Sequence, residues 1–215
     1  MVFRSENKEH TVKGILISAP SCAGKSHLLK RTSKHTRFSG TRIFEMDSLK
    51  YYEPDQLKAQ LPEAKKNFEA WSHMQKNNTL LKRLHHNINT SNDQERIIKY
   101  TFVALCAAPE NFITVLPYIL RTTTSGVIFI ELLESIFKMR LIHVVIIPSF
   151  FRYLINFTYR LEIMNFSYMK RMLRERDSFH SKRDTFDYVV EPSLFKSGQH
   201  SALKFFHQQL NLTSS

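Results

Sequence analysis

The sequence predicts an α/β domain: a mostly parallel five-stranded sheet with helices on both faces, in three layers. Two observations carry this. Short apolar runs, several rich in β-branched residues, alternate with helical or polar segments along the chain. Those runs are continuous rather than alternating, which suits strands covered on both faces. A chain of 215 residues accommodates one such domain with an inserted lobe, and we take residues 1–215 as that single domain.

In chain order, Gly14–Ser18 (GILIS) is the first expected strand and Arg42–Met46 (RIFEM) the second. Val127–Glu131 (VIFIE) is expected as the third, Ile142–Ile147 (IHVVII) as the fourth and Phe186–Val190 (FDYVV) as the fifth. Between Leu57 and Trp71 the apolar residues Leu57, Leu61, Ala64, Phe68 and Trp71 recur at helical spacing, and Pro62 breaks or restarts that helix. Residues 48–100 therefore form an expected helical lobe. Ile97–Ala107 (IIKYTFVALCA) fits a helix or a further strand equally well.

Composition narrows the class. Hydrophobic residues make up 42% of the chain, so a real core is expected rather than disorder. The two cysteines, Cys22 and Cys106, have no metal-ligand spacing, which argues against a zinc or disulfide scaffold. Met1–His10 is too polar for a signal peptide. Leu141–Phe151 is strongly apolar but shorter than the roughly 20 residues a bilayer span requires. The expectation is a cytoplasmic protein with no membrane partner. A formal net charge of +12 fits polyanionic ligands, nucleotides and nucleic acid among them.

The most specific motif is Ala19-Pro20-Ser21-Cys22-Ala23-Gly24-Lys25-Ser26. It has the Walker A spacing, with alanine in place of the first glycine. A strand leads in and a helix over Lys25–Arg31 leads out, the context the motif needs. Loop N–H groups and the helix start, through His27, face the phosphates of a nucleotide, and the helix dipole favours negative charge there. Lys25 bridges β- and γ-phosphates, and the Ser26 hydroxyl is a ligand for Mg²⁺. Cys22 is either a thiol activated by the loop or a small filler.

These residues resemble the phosphate loop of P-loop kinases of the nucleoside monophosphate kinase group, guanylate kinase in particular. Glu131, Val144–Phe150 with Arg160-Leu161, and Phe186–Val190 follow in that family's order. The resemblance implies a P-loop NTPase-type fold, ATP with Mg²⁺ as donor, and a mobile lid at about 160–183. Residues 48–100, which take the place of the acceptor lobe, do not match the family's guanine-monophosphate-binding lobe. Met46-Asp47-Ser48 is instead similar to P-loop kinases that phosphorylate a hydroxyl, where an aspartate here serves as general base.

Asp47 closes the second expected strand, and sites in such sheets lie at the carboxyl ends of strands. It is read as the base for a hydroxyl acceptor, as a group binding a phosphate acceptor or Mg²⁺, or as a helix N-cap. Glu131 is read as a Walker B-type metal carboxylate, or as an acid complementing a helix dipole. In 160–183, Arg171 and Arg174 lie three apart and share a helical face, where they would neutralise charge on the transferring phosphoryl group. Tyr51, Tyr52 and Glu53 either line an acceptor pocket or pack a helix. The sequence thus leads to a kinase acting on a nucleoside, nucleotide or nucleic-acid end. Its rival is a nucleotide- or nucleic-acid-binding module that transfers nothing.

Overall fold

The computed structural model describes residues 12–45, 64–87, 92–106, 111–116, 124–159, 166–193 and 198–210. Five strands form one sheet: β1 (Val12–Ser18), β2 (Arg42–Glu45), β3 (Phe112–Val115), β4 (Arg140–Ile146) and β5 (Tyr188–Val190). Their order is β2-β3-β1-β4-β5, and every neighbouring pair is parallel. Eight α-helices are present among the described residues: α1 (Lys25–Ser33), α2 (Ala64–Asn77), α3 (Thr79–Asn87), α4 (Asn92–Cys106), α5 (Thr124–Phe137), α6 (Phe150–Tyr159), α7 (Phe166–Ser181) and α8 (Gln199–Gln209). None is long and apolar enough to cross a membrane.

Alternation along β1 explains the unbroken hydrophobic run Ile15–Ile17. Ile15 and Ile17 point into a cluster with Leu28 and Leu29 of α1 and with Ala202, Leu203 and Phe206 of α8. Leu16 points the other way, into a cluster with Trp71, Leu84, Val103, Phe129 and Leu133 from α2 to α5. Both faces of the strand are thus buried over Ile15–Ile17, which leaves no position there for a polar residue. The expected helical lobe is therefore no separate body: its described helices share a core with the sheet.

One expected element is corrected, and one ambiguous run is resolved. Val127–Glu131 is not a strand but lies inside α5. Ile128, Phe129, Leu132 and Leu133 are buried while Val127 and Glu131 are exposed, the 3.6-residue pattern of an amphipathic helix. The strand beside β1 is Phe112–Val115 (FITV), all four residues buried. The ambiguous run from Ile97 resolves as helix in α4. Asp47, Tyr51, Tyr52, Glu53 and Arg160 lie outside the described residues.

Gly14 is required by a close approach. A Cβ at this position would run into the Phe112 ring, which fills the space above the β1 backbone from the paired residue on β3. Gly14→Ala should therefore destabilise the protein by about 1–3 kcal/mol, the cost of overpacking a closed core. Urea unfolding checks this, and the double variant Gly14→Ala/Phe112→Leu should lose less than the two single variants added together.

Candidate functional site

The loop from Ala19 to Gly24 springs from the carboxyl end of β1, in the middle of the sheet. Its turn is closed by the Ala23 N–H donating to the Pro20 carbonyl at 3.3 Å. Cys22 has φ 63° and Gly24 φ 92°. At Gly24 this left-handed backbone carries little strain, because glycine has no Cβ. The Gly24 carbonyl then accepts from Leu28 N–H at 3.0 Å and opens α1. No side chain caps that helix, and a helix start of this kind favours an anion.

Ser26, in the first turn of α1, donates its hydroxyl to Glu45 Oε1 at 2.8 Å. Glu45 is the last residue of β2, in register with Val115 of β3. A hydroxyl that donates to a carboxylate keeps its lone pairs for a cation, so Ser26 and Glu45 suit Mg²⁺, which takes few protein oxygens and completes its shell with phosphate and water. Among the described residues no three His, Cys, Asp or Glu side chains converge to make an all-protein metal cage. Sequence reasoning missed Glu45. The signal was an acid directly after the apolar pair Ile43-Phe44, two positions before the Asp47 it favoured.

Glu131 is corrected as a strand-end carboxylate, since it is exposed in the middle of α5. The strand next to β1 on that side, β3, runs into Leu116, which is buried and apolar. Arg171 and Arg174 are exposed on α7, and the Arg171 guanidinium lies over the Tyr168 ring at 5.0 Å. Neither lines the cavity beside the loop. Of the expected lid, the described part is α7, a helix that buries Met172 and Phe179 against the body.

That cavity has a volume of about 480 Å³, a size that suits a small ligand. It is lined by Cys22–Gly24 of the loop, His27 and Arg31 of α1, Arg152 and Asn156 of α6, and Pro192 after β5. Arg152 and Arg31 are thus the arginines brought to the site, and both went unnoticed in the sequence. Helix α6 also ties down the loop: Asn156 Nδ2 donates to the Cys22 carbonyl at 2.8 Å. The Cys22 side chain is buried with Tyr153, Phe157 and Met172, which is the small-filler role. Tyr153 donates to the Met172 carbonyl at 3.3 Å, and burial together with the nearby Glu175 charge pushes its pKa up, so it stays protonated.

No protein-family model matches this chain, and neither does any curated protein. Among solved structures, an uncharacterized protein from Eubacterium ventriosum ATCC 27560 is similar, with a TM-score of 0.52 and 13% identity over 94% of this chain and 98% of that one. The protein APE1195 has a TM-score of 0.48 and 10% identity, over 96% and 98% of the two chains. A chain of the PezAT chromosomal toxin–antitoxin system of Streptococcus pneumoniae has a TM-score of 0.38 and 13% identity, over 99% of this chain and 82% of that one. At these identities the likeness concerns the fold alone, and only the first is near enough to support it.

Behind the loop lies a second polar cluster. Ser18 Oγ is hydrogen-bonded to His143 Nε2 at 2.7 Å. Asp187 accepts from the His143 backbone N–H and from Arg140, each at 2.7 Å. Phe186 sets its ring edge-to-face against the imidazole at 4.8 Å. Loss of water around the ring lowers the His143 pKa from 6.5 to about 4, against the opposing pull of the Asp187 charge. A histidine held neutral in the fold binds fewer protons than the unfolded chain between these values, so it contributes stability above pH 6.5 that is lost as pH falls towards 4. The loss amounts to no more than about 3 kcal/mol. Urea titrations across this range should show His143→Gln with a flatter pH dependence than wild type.

Proposed function

We propose that this protein is a P-loop kinase. It binds a magnesium nucleoside triphosphate at Ala19–His27 and passes the γ-phosphoryl group to a nucleoside, nucleotide or nucleic-acid acceptor. The observation that carries this is the Ser26–Glu45 hydrogen bond. It joins a Walker A hydroxyl, at the start of the helix after the central strand, to a carboxylate at the end of β2. An ordinary strand-to-helix turn has no need of that pairing. Within this reading the fold is of the P-loop NTPase type, and the cavity beside His27 and Arg31 takes the nucleoside part of ATP.

The loop N–H groups and Lys25 hold the phosphates and stabilise the charge that builds on them. Ser26, with Glu45 behind it, would hold Mg²⁺, which would supply positive charge beside the phosphates. In the transfer, the acceptor oxygen forms a new bond to γ-phosphorus while the bond from γ-phosphorus to the bridging oxygen breaks. The electron pair stays on the departing diphosphate. A hydroxyl acceptor must also lose a proton, and a carboxylate receives it, either Glu45 at the end of β2 or Asp47 two residues later in the sequence. A phosphate acceptor is already ionised and needs no base. The net charge of +12 favours an acceptor that carries phosphate. The apolar end of β3 at Leu116 favours the rival reading, a binding module without transfer.

Transfer from γ-labelled ATP to nucleosides, monophosphates and 5′-hydroxyl oligonucleotides is the direct test. Lys25→Ala should abolish labelling while leaving thermal unfolding unchanged; wild-type turnover in that folded variant ends the reading. Glu45→Gln should lower kcat by about tenfold to a hundredfold, as loss of a group orienting a metal ligand does. If no acceptor is labelled while ATP still binds in a Lys25-dependent way, the binding-module reading stands instead.

A further inference from the structure

We propose that Glu175 is an anionic latch on the phosphate loop. Its carboxylate holds the place of the terminal phosphate, and triphosphate binding displaces it and frees α7 from the loop. The inference rests on the phosphate-loop reading above and adds a mode of regulation to it.

The loop's own sequence isolates the position. Pro20 has no N–H, so Ser21 supplies the first N–H of the loop after Ala19. In this structure that N–H donates to Glu175 Oε2, from α7, at 3.5 Å. A group built to present N–H donors to an anion is thus already facing one. The distance is at the long end for a hydrogen bond, and a bond of that length yields readily to a shorter, charge-assisted one from a phosphate oxygen.

Position argues for the terminal phosphate. The cavity that would take the nucleoside is lined from Cys22 onward, by Gly24, His27 and Arg31, and Ser21 is not part of its wall. Ser21 is therefore at the end of the loop away from the nucleoside. A diphosphate leaves that end to Glu175, whereas a triphosphate brings a second anion to it. Two anions at one donor repel, so one must leave.

The latch has a transmission. Helix α7 is joined to α6 by the Tyr153–Met172 hydrogen bond and to the end of β4 by Arg176 Nε donating to the Pro148 carbonyl at 2.9 Å. Cys22, Tyr153, Phe157 and Met172 share one buried cluster. Withdrawing Glu175 from Ser21 thus acts on a helix that packs against the same loop, and it signals the third phosphate to the α6–α7 pair.

The test uses the full chain with two probes, a non-hydrolysable ATP analogue with Mg²⁺ and ADP with Mg²⁺, titrated calorimetrically. Glu175→Gln keeps the shape and removes the charge; Glu175→Ala removes both. Each should bind the triphosphate analogue about three- to tenfold more tightly than wild type, with ADP changed by less than about twofold. In the wild type, amide exchange over residues 172–178 should quicken with the analogue and not with ADP. Unchanged or weaker analogue binding in folded Glu175→Gln overturns the latch, as does an equal gain for ADP or exchange that ignores the third phosphate. Lys25→Ala separates the two ideas. If it binds the analogue as the wild type does, the phosphate-loop reading itself is wrong. If it loses binding while the Glu175 variants gain none, only the latch is wrong.

Discussion

Parallel hydrogen-bond ladders run along both edges of β1, to β3 on one side and β4 on the other, and the functional loop hangs from the end of the strand they hold. Apolar side chains close over both faces, so β1 has no direction in which to shift. Gly14 lets Phe112 lie directly on the backbone, and Ser18 is tied sideways to His143 at the strand's last residue. The loop therefore starts from a fixed point, as the proposed phosphate site would require.

The other support of the loop is less rigid in kind. It consists of α6 and α7, which grip Cys22 through one hydrogen bond from the Asn156 side chain to its carbonyl and a small apolar cluster. The Ser26–Glu45 bond adds a tie from β2. Three kinds of contact thus converge on a stretch of eight residues: ladder hydrogen bonds behind, hydrophobic packing above, and a charged hydrogen bond at the side. A site held this way can be stable at its root while still responding at its rim.

How much was legible in the sequence follows from what each residue had to do. The strand, turn and helix around Gly24 were legible because an apolar run, a glycine able to take a left-handed backbone and a helix-forming segment follow one another in the sequence. Four strands were legible for the same reason, as apolar runs with turn residues at their ends. β3 was missed because four buried residues carry no periodicity. Val127–Glu131 was misread because the apolar density of α5 hides its helical repeat, until Val127 and Glu131 are seen to be exposed. Glu175 was out of reach for a deeper reason. It touches the loop from 154 residues along the chain, and such a tertiary contact leaves no mark in local composition.

The strand at the centre of the sheet is also the first to be made. Ser18 and its partner His143 stand 125 positions apart, and both edges of β1 pair with strands from the second half of the chain. On the ribosome, Gly14–Ser18 thus emerges long before anything exists to cover it. Such non-local pairing slows folding, because the entropy of closing a long loop is spent before any contact rewards it. During that delay a bare β-branched segment with two open edges is exposed to neighbouring chains. The arrangement that gives the loop its rigidity in the finished molecule makes the newborn chain dependent on shielding, by a chaperone or by the early helices α2 to α4, until β3 and β4 arrive.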